Sequence, residues 1–299
     1  MNILISLALI ALALAPFQLP DSLLEHLQGP LPTAKSQETG PVYKPVPIPV
    51  RSGITEPQLD APSWYAVDLT SNQTLAAHKA DQRQPIASVT KMVTALVVFR
   101  THKETDIITV PKLPTYGPED SIIGLKEGEQ FTVRDLLAAL LIQSANDAAD
   151  TFAIADSGSI PAFATKMDKL VAEWGIDNAD FSNPSGLNDV DNGASAVALA
   201  KIGQLGLQND TFRTFIATPT ATIHSRTGTP YVLHTTDQLL QSGRFQGIKT
   251  GYTQAAGGCF VGLTTIQGHQ VITVVLGSQD RFGDTIKLAD WINQNYRWQ

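Results

Sequence analysis

The chain has 299 residues, 43% of them hydrophobic and 16% charged, enough to bury a sizeable core in one large or two modest domains. Its formal net charge of −7 argues against nucleic acid as a partner. A single cysteine, Cys259, excludes an internal disulfide, and its apolar setting Cys259-Phe260-Val261-Gly262-Leu263 reads as an inert core thiol.

In chain order, residues 3–19 are almost entirely apolar with no Lys or Arg ahead of them, which fits a secretory signal or a short membrane anchor. The triplets Ala11-Leu12-Ala13 and Ala13-Leu14-Ala15 offer small-x-small cleavage points, the second disfavoured by Pro16. A cleaved signal and a retained anchor both stay open, and export is expected with either. Residues 20–61 read as a disordered tether, because Pro30, Pro32, Pro41, Pro45, Pro47, Pro49 and Pro57 recur with no helical or strand period. Within it, residues 45–50 favour an extended polyproline conformation at about 3.1 Å per residue.

From residue 62 to 299 the pattern predicts a globular domain whose sheet is split by a helical insert at about 86–235. Strands over 64–69 and 74–78 flank the hairpin signal Ser71-Asn72-Gln73. Helices follow at about 88–101, 133–143, 147–155, 161–174 and 194–207. Three more strands, 247–253, 258–266 and 270–277, come next, the last two joined by a turn at Gln267-Gly268-His269. An amphipathic run over 285–296 then covers one sheet face with Ile286, Leu288, Trp291 and Ile292.

Three short motifs carry the candidate chemistry: Ser88-Val89-Thr90-Lys91, Ser144-Ala145-Asn146 and Lys249-Thr250-Gly251. A serine hydroxyl is a weak nucleophile until a base takes its proton, and a lysine three residues on in a helix shares its face. Lys91 can be that base only if neutral, whereas an ordinary lysine has a pKa of about 10.4. Its neighbours Met92, Val93, Ala95, Leu96, Val97, Val98 and Phe99 predict a buried helix, and burial lowers a lysine pKa. Lys249 adds a second positive charge if the fold brings it close. Taken singly, the motifs are weak, since average residue usage gives roughly one Ser-x-x-Lys by chance in a chain of this size. Ser88 alone reads as a helix cap and Lys91 alone as a solvated side chain.

In context the chain resembles the low-molecular-weight penicillin-binding proteins, the serine D-alanyl-D-alanine carboxypeptidases, over roughly residues 62–298. The resemblance rests on the three motifs and on Ala87 to Leu96, Leu136-Leu137 leading to Ser144-Ala145-Asn146-Asp147-Ala148-Ala149, and Asn183-Pro184-Ser185-Gly186-Leu187. It continues through Gly247-Ile248-Lys249-Thr250-Gly251-Tyr252-Thr253, Ala256-Gly257-Gly258-Cys259 and Val274-Val275-Leu276-Gly277. It implies an α+β fold of the β-lactamase and penicillin-binding-protein type, with a five-stranded antiparallel sheet, covering helices and an inserted helical subdomain.

The resemblance also implies roles. Ser88 attacks the penultimate D-alanine carbonyl of a peptidoglycan stem peptide, Lys91 accepts its proton, and Ser144 relays a proton to the leaving amine. Asn146 holds a substrate amide and helps position Lys91. Lys249 and Thr250 read the terminal carboxylate, Gly251 lets ligand backbone approach, and the N–H groups of Ser88 and Tyr252 form the oxyanion hole. Arg281 is a candidate second carboxylate contact, with a structural salt bridge as the competing reading. β-Lactams are the expected inhibitors. No cofactor or metal is expected: His78, His102, His224, His234 and His269 lack ligand spacing, and no Gly-x-Ser-x-Gly elbow or phosphate-loop fingerprint is present.

Three features bear on the activity. No Glu-x-x-Leu-Asn element follows Ser144, so rapid β-lactam turnover is not expected. The family's Asn-rich segment ahead of Lys249 is here His234-Thr235-Thr236-Asp237-Gln238-Leu239-Leu240, which leaves its local hydrogen bonding open. The sequence after the last strand has room for about one helix, so the β-rich second domain of many carboxypeptidase relatives is not expected within it. A D,D-carboxypeptidase, a D,D-endopeptidase acting on cross-links and a non-catalytic β-lactam sensor therefore remain as readings.

Overall fold

The computed structural model describes residues 46–53, 55–118, 120–187 and 191–299. The apolar segment 3–19 and the tether up to residue 45 lie outside the described residues. Among those described, no helix is long and apolar enough to cross a membrane. A compact unit begins at Val46.

The chain opens with β1 (Pro49–Arg51), β2 (Ser63–Asp68), β3 (Thr74–His78) and the short β4 (Gln84–Pro85). A 3-10 turn, Ala87–Thr90, leads into α1 (Lys91–Thr101), and the insert continues with β5 (Ile107–Thr109), β6 (Gln130–Thr132), α2 (Val133–Ile142), α3 (Asn146–Ser157) and α4 (Ile160–Glu173). After β7 (Ala179–Asp180) and β8 (Gly193–Ala194) come α5 (Ala196–Gly206), α6 (Asp210–Ile216), β9 (Thr220–His224) and β10 (Pro230–His234). The chain then returns to the sheet through β11 (Phe245–Thr253), β12 (Gly257–Ile266) and β13 (His269–Ser278), before α7 (Arg281–Asn295) and β14 (Tyr296–Trp298).

The central sheet has the order β11-β12-β13-β2-β3 and is antiparallel throughout, as the family resemblance implies. Strict alternation gives it two apolar faces. Ile272, Val274 and Leu276 of β13 join the larger core with α1, α2 and α5, while Val271 and Val275 join a second core with Leu288, Ala289 and Ile292 of α7. Phe260 and Cys259 of β12 part to the two sides in the same way. Side-chain caps fix several helix starts: Thr132, Ser159, Ser195, Asn209 and Asp280 each accept a backbone N–H from the first turn.

The structure corrects the sequence reading in four places. The tether ends earlier than residue 61, because β1 pairs with β14 in the register Pro49↔Trp298, Val50↔Arg297 and Arg51↔Tyr296. The extended backbone favoured by the prolines is there, but its polar groups are paired rather than solvated. Arg51 also lies 5.1 Å from the Trp291 ring centroid, and Trp291 Nε1 donates to the Thr55 carbonyl at 3.0 Å. The last helix starts at Arg281, four residues before the apolar period becomes visible, because Asp280 caps it. The insert is mixed rather than purely helical, holding the β5–β6 and β9–β10 pairs and the β4-β8-β7 sheet. Finally α6, a seven-residue helix, was too short for its periodicity to register.

The β1–β14 pairing has a direct test. Ile48 and Gln299 exchange both backbone hydrogen bonds, so Val50 and Arg297, two positions along, form the next hydrogen-bonded pair. Val50→Pro removes a ladder donor and is expected to cost about 1–3 kcal/mol, lowering Tm by about 2–4 °C per kcal/mol. A solvated tether at this point predicts an unchanged Tm.

Candidate active site

Ser88 lies in the 3-10 turn at the head of α1, partly exposed between buried Ala87 and Val89. Ala87 holds φ at 48°, in the left-handed region that costs a non-glycine residue of order 1 kcal/mol or more. Two neighbours hold the turn. A Cβ on Gly186 would lie 2.0 Å from the Ala87 carbonyl oxygen, and one on Gly251 would lie 2.7 Å from Ile86 O and 3.1 Å from the Ser88 backbone nitrogen. Gly251 therefore serves first to let β11 close on the Ser88 turn. The sequence reading had assigned it to approach by ligand backbone.

Lys91 begins α1 and has no exposed surface. Its Nζ lies 2.8 Å from Ser88 Oγ, 2.6 Å from Asn146 Oδ1 and 2.7 Å from the Ser185 carbonyl oxygen. The last two groups only accept hydrogen bonds, whereas a hydroxyl can donate. A neutral amine satisfies all three by donating two N–H bonds to Asn146 and Ser185 and receiving the Ser88 O–H on its lone pair. Burial pushes the Lys91 pKa well below the ordinary lysine value, and the charge of Lys249 pushes it further. Asp150, Asp147 and Asp120 pull the other way without offsetting burial.

Asn146 opens α3, and Ser144 occupies the bend between α2 and α3 with φ at 64°. Ser144 is buried, and its hydroxyl has no hydrogen-bond partner among the described residues. The bend is held by residues 121–125. Asp147 accepts the backbone N–H groups of Ile123, Gly124 and Leu125, and the Asn146 N–H donates to the Ser121 carbonyl at 2.7 Å. Tyr116 donates to Asp150 at 2.7 Å, and burial raises that carboxyl to about 6.

Lys249 and Thr250 lie in β11 at the edge of the sheet. Lys249 Nζ donates to the Thr250 carbonyl at 3.1 Å, and burial lowers its pKa to about 7, with Arg281 adding to the fall and Asp237 opposing it. The Thr250 and Thr236 hydroxyls are 2.6 Å apart. Tyr252 is 65% exposed and, with Arg281, Gln238, Asp280 and Phe282, lines a cavity of about 460 Å³. Arg281 forms no salt bridge among the described residues. Its guanidinium instead lies 4.7 Å from the Phe282 ring centroid, and its Nε is buried without a hydrogen-bond partner.

The three motifs thus converge: Ser88, Lys91 and Asn146 are linked by hydrogen bonds, and Gly251 packs against the Ser88 turn. Ser185, Thr236 and Asp237 were given no role by sequence reasoning. The first acts through a backbone carbonyl, which residue identity does not reveal. Cys259 is buried with its thiol raised to about 11, consistent with the inert reading.

The D-alanyl-D-alanine carboxypeptidase family model matches residues 51–280. The chain belongs to that family. The D-alanyl-D-alanine carboxypeptidase DacA of Haemophilus influenzae is 30% identical over 265 residues, covering 82% of this chain and 64% of that enzyme. The D-alanyl-D-alanine endopeptidase of Escherichia coli is 30% identical over 254 residues, 80% of this chain and 79% of the relative. The crystal structure of a D-alanyl-D-alanine carboxypeptidase from Mycobacterium tuberculosis matches with a TM-score of 0.74 at 29% identity, covering 81% of this chain and 94% of the other. The chain spans less than two thirds of the Haemophilus relative and most of the other two. The family's α+β fold agrees with the five-stranded antiparallel sheet found here.

Gly251→Ala isolates the closeness of β11 to the nucleophile turn. Overpacking of this kind costs about 1–3 kcal/mol, and Ser88 labelling by a fluorescent penicillin is expected to slow at least ~10-fold as the turn is displaced. An unchanged labelling rate would show that the turn does not depend on this contact.

Proposed function

We propose that this protein is an exported serine D-alanyl-D-alanine carboxypeptidase that removes the terminal D-alanine from peptidoglycan stem peptides. The observation that carries the reading is the fully buried Lys91 amine 2.8 Å from Ser88 Oγ, whose pKa burial pushes well below the ordinary lysine value, so that a neutral amine can turn its lone pair to the Ser88 hydroxyl. Ser88 Oγ attacks the carbonyl carbon of the penultimate D-alanine while its proton passes to Lys91 Nζ. The tetrahedral oxyanion is held by the N–H groups of Ser88 and Tyr252, each worth about 3–4 kcal/mol in comparable sites. As the C–N bond breaks, the leaving amine takes a proton through Ser144, giving free D-alanine and an ester on Ser88. Water then attacks the ester, Lys91 again takes a proton, and Ser88 is regenerated.

Binding follows from the edge position of β11, on which an extended stem peptide can pair as an added strand. Lys249, Thr250 and Arg281 surround the place for its terminal carboxylate, and Asn146 holds a substrate amide. A β-lactam presents the same carboxylate and a strained amide, so it acylates Ser88 and inhibits. Residues 1–19 serve as a signal or an anchor, residues 20–45 as a spacer, and the catalytic domain works outside the cytoplasm. Nucleic acid is not a partner, and no cofactor takes part. The likeness to the Escherichia coli endopeptidase favours a second reading, in which the leaving amine belongs to a cross-linked stem.

Mass spectrometry of the products from a defined pentapeptide and from cross-linked muropeptides tests the proposal. Release of D-alanine by the wild-type protein is expected, with Ser88→Ala and Lys91→Arg each reduced by at least about three orders of magnitude, since arginine cannot serve as a neutral base. Cleavage of cross-linked dimers without D-alanine release would replace the carboxypeptidase reading with the endopeptidase one. No product from either substrate would overturn both.

A further inference from the structure

Asp237 sits in the turn between β10 and β11 and is 5% exposed. Its Oδ1 accepts the Leu239 backbone N–H at 2.8 Å, closing an Asx-type turn. Its Oδ2 is buried and has no hydrogen-bond partner among the described residues. Burial raises the Asp237 pKa, and the Leu239 and Leu240 N–H groups, then the charges of Lys249 and Arg281, pull it back without offsetting burial.

Two cations of the same site act on this carboxylate. Lys249 and Arg281 both act on the Asp237 carboxyl and are acted on by it. The neighbouring Thr236 bonds Thr250, which ties this turn to the same edge of β11. Neither cation forms a salt bridge among the described residues, and Arg281 Nε is itself buried without a hydrogen-bond partner. The other charged or titratable groups acting here are Lys91 from α1, Tyr252 from β11, Cys259 from β12 and Asp280 at the head of α7.

We infer that Asp237 is a positioning residue for carboxylate recognition: it is the internal counter-ion that keeps Lys249 charged beside Arg281 and leaves the pair a net charge matched to a single ligand carboxylate. The inference rests on the carboxylate-reading role proposed above for Lys249, Thr250 and Arg281. With Asp237 ionised, the fall in the Lys249 pKa stops at about 7. Without it, Lys249 gives up its proton at a lower pH, and Arg281 alone faces the ligand.

The test is steady-state D-alanine release by wild-type protein and Asp237→Asn across the acidic to alkaline range, with separate KM and kcat. At neutral pH the variant is expected to raise KM roughly 10-fold with kcat within about two-fold, and the rise in KM should begin at lower pH than in wild type. A merely structural role predicts no movement of the pH profile. A KM that is unchanged or lower, or a profile that does not move, overturns the inference. Asp237→Ser, which keeps an acceptor for the Leu239 N–H, makes the same comparison should asparagine disturb the turn.

The half-saturating concentration of a fluorescent penicillin separates this inference from the proposed activity. If wild-type protein acylates with penicillin but releases no D-alanine, the activity proposal fails while the penicillin comparison still decides on Asp237. A similar rise in half-saturation for the variant supports the counter-ion role, and equal values overturn it.

Discussion

Lys91 has no exposed surface, and its amine meets two oxygens that can only accept together with one hydroxyl that can give. The amine satisfies this set while leaving its lone pair on Ser88 only if it is neutral, and the rest of the site arranges that condition. Desolvation by the apolar helix α1 is the largest influence, and the Lys249 charge adds to it. The acceptors come from opposite directions, Asn146 from the start of α3 and Ser185 from the loop after β7. Each is held by further structure. Asp147 anchors the strap beside Asn146, and Gly186 allows the Ser185 loop to close on Ala87.

Polar satisfaction is uneven across the molecule in an informative way. Four buried side-chain polar atoms lack a hydrogen-bond partner among the described residues, and three of them, on Ser144, Asp237 and Arg281, belong to the active-site region. Interiors seldom tolerate such groups; a ligand carboxylate can complete the Arg281 donor and the Ser144 hydroxyl, whereas the Asp237 oxygen only accepts and takes no bond from a carboxylate. Left-handed φ angles at Ala87 and Ser144 fall in the same region. Local strain and unpaired polarity at the proposed nucleophile and relay are held in place by the two-faced sheet and its helices.

Much of this could be read from sequence. The five strands of the central sheet were legible because strands buried on both faces read as short near-continuous apolar runs bounded by turn signals, and α1, α2, α4 and α5 because their apolar runs are long. Ser88, Lys91, Ser144, Asn146, Lys249 and Thr250 stood out as motifs, but their convergence depends on long-range register. The Ser185 carbonyl is a backbone group and leaves no trace in residue type. Asp237 lay in a segment that read only as a departure from an Asn-rich pattern, and the role proposed for it rests on its burial and on the two cations that act on it. β1 escaped notice because three residues carry too little period, and its pairing with β14 joins segments far apart in sequence.

The central claim is that the resting protein holds Lys91 neutral at physiological pH. Isotope-detected NMR titration of the lysine side chains, with the Lys91 signal assigned by its loss in Lys91→Met, measures this directly. The account predicts that Lys91 titrates well below the ordinary lysine value of about 10.4 and moves upward when Lys249 is replaced by a neutral residue. A Lys91 signal that titrates at the ordinary value would contradict it, because a protonated amine cannot take the Ser88 proton.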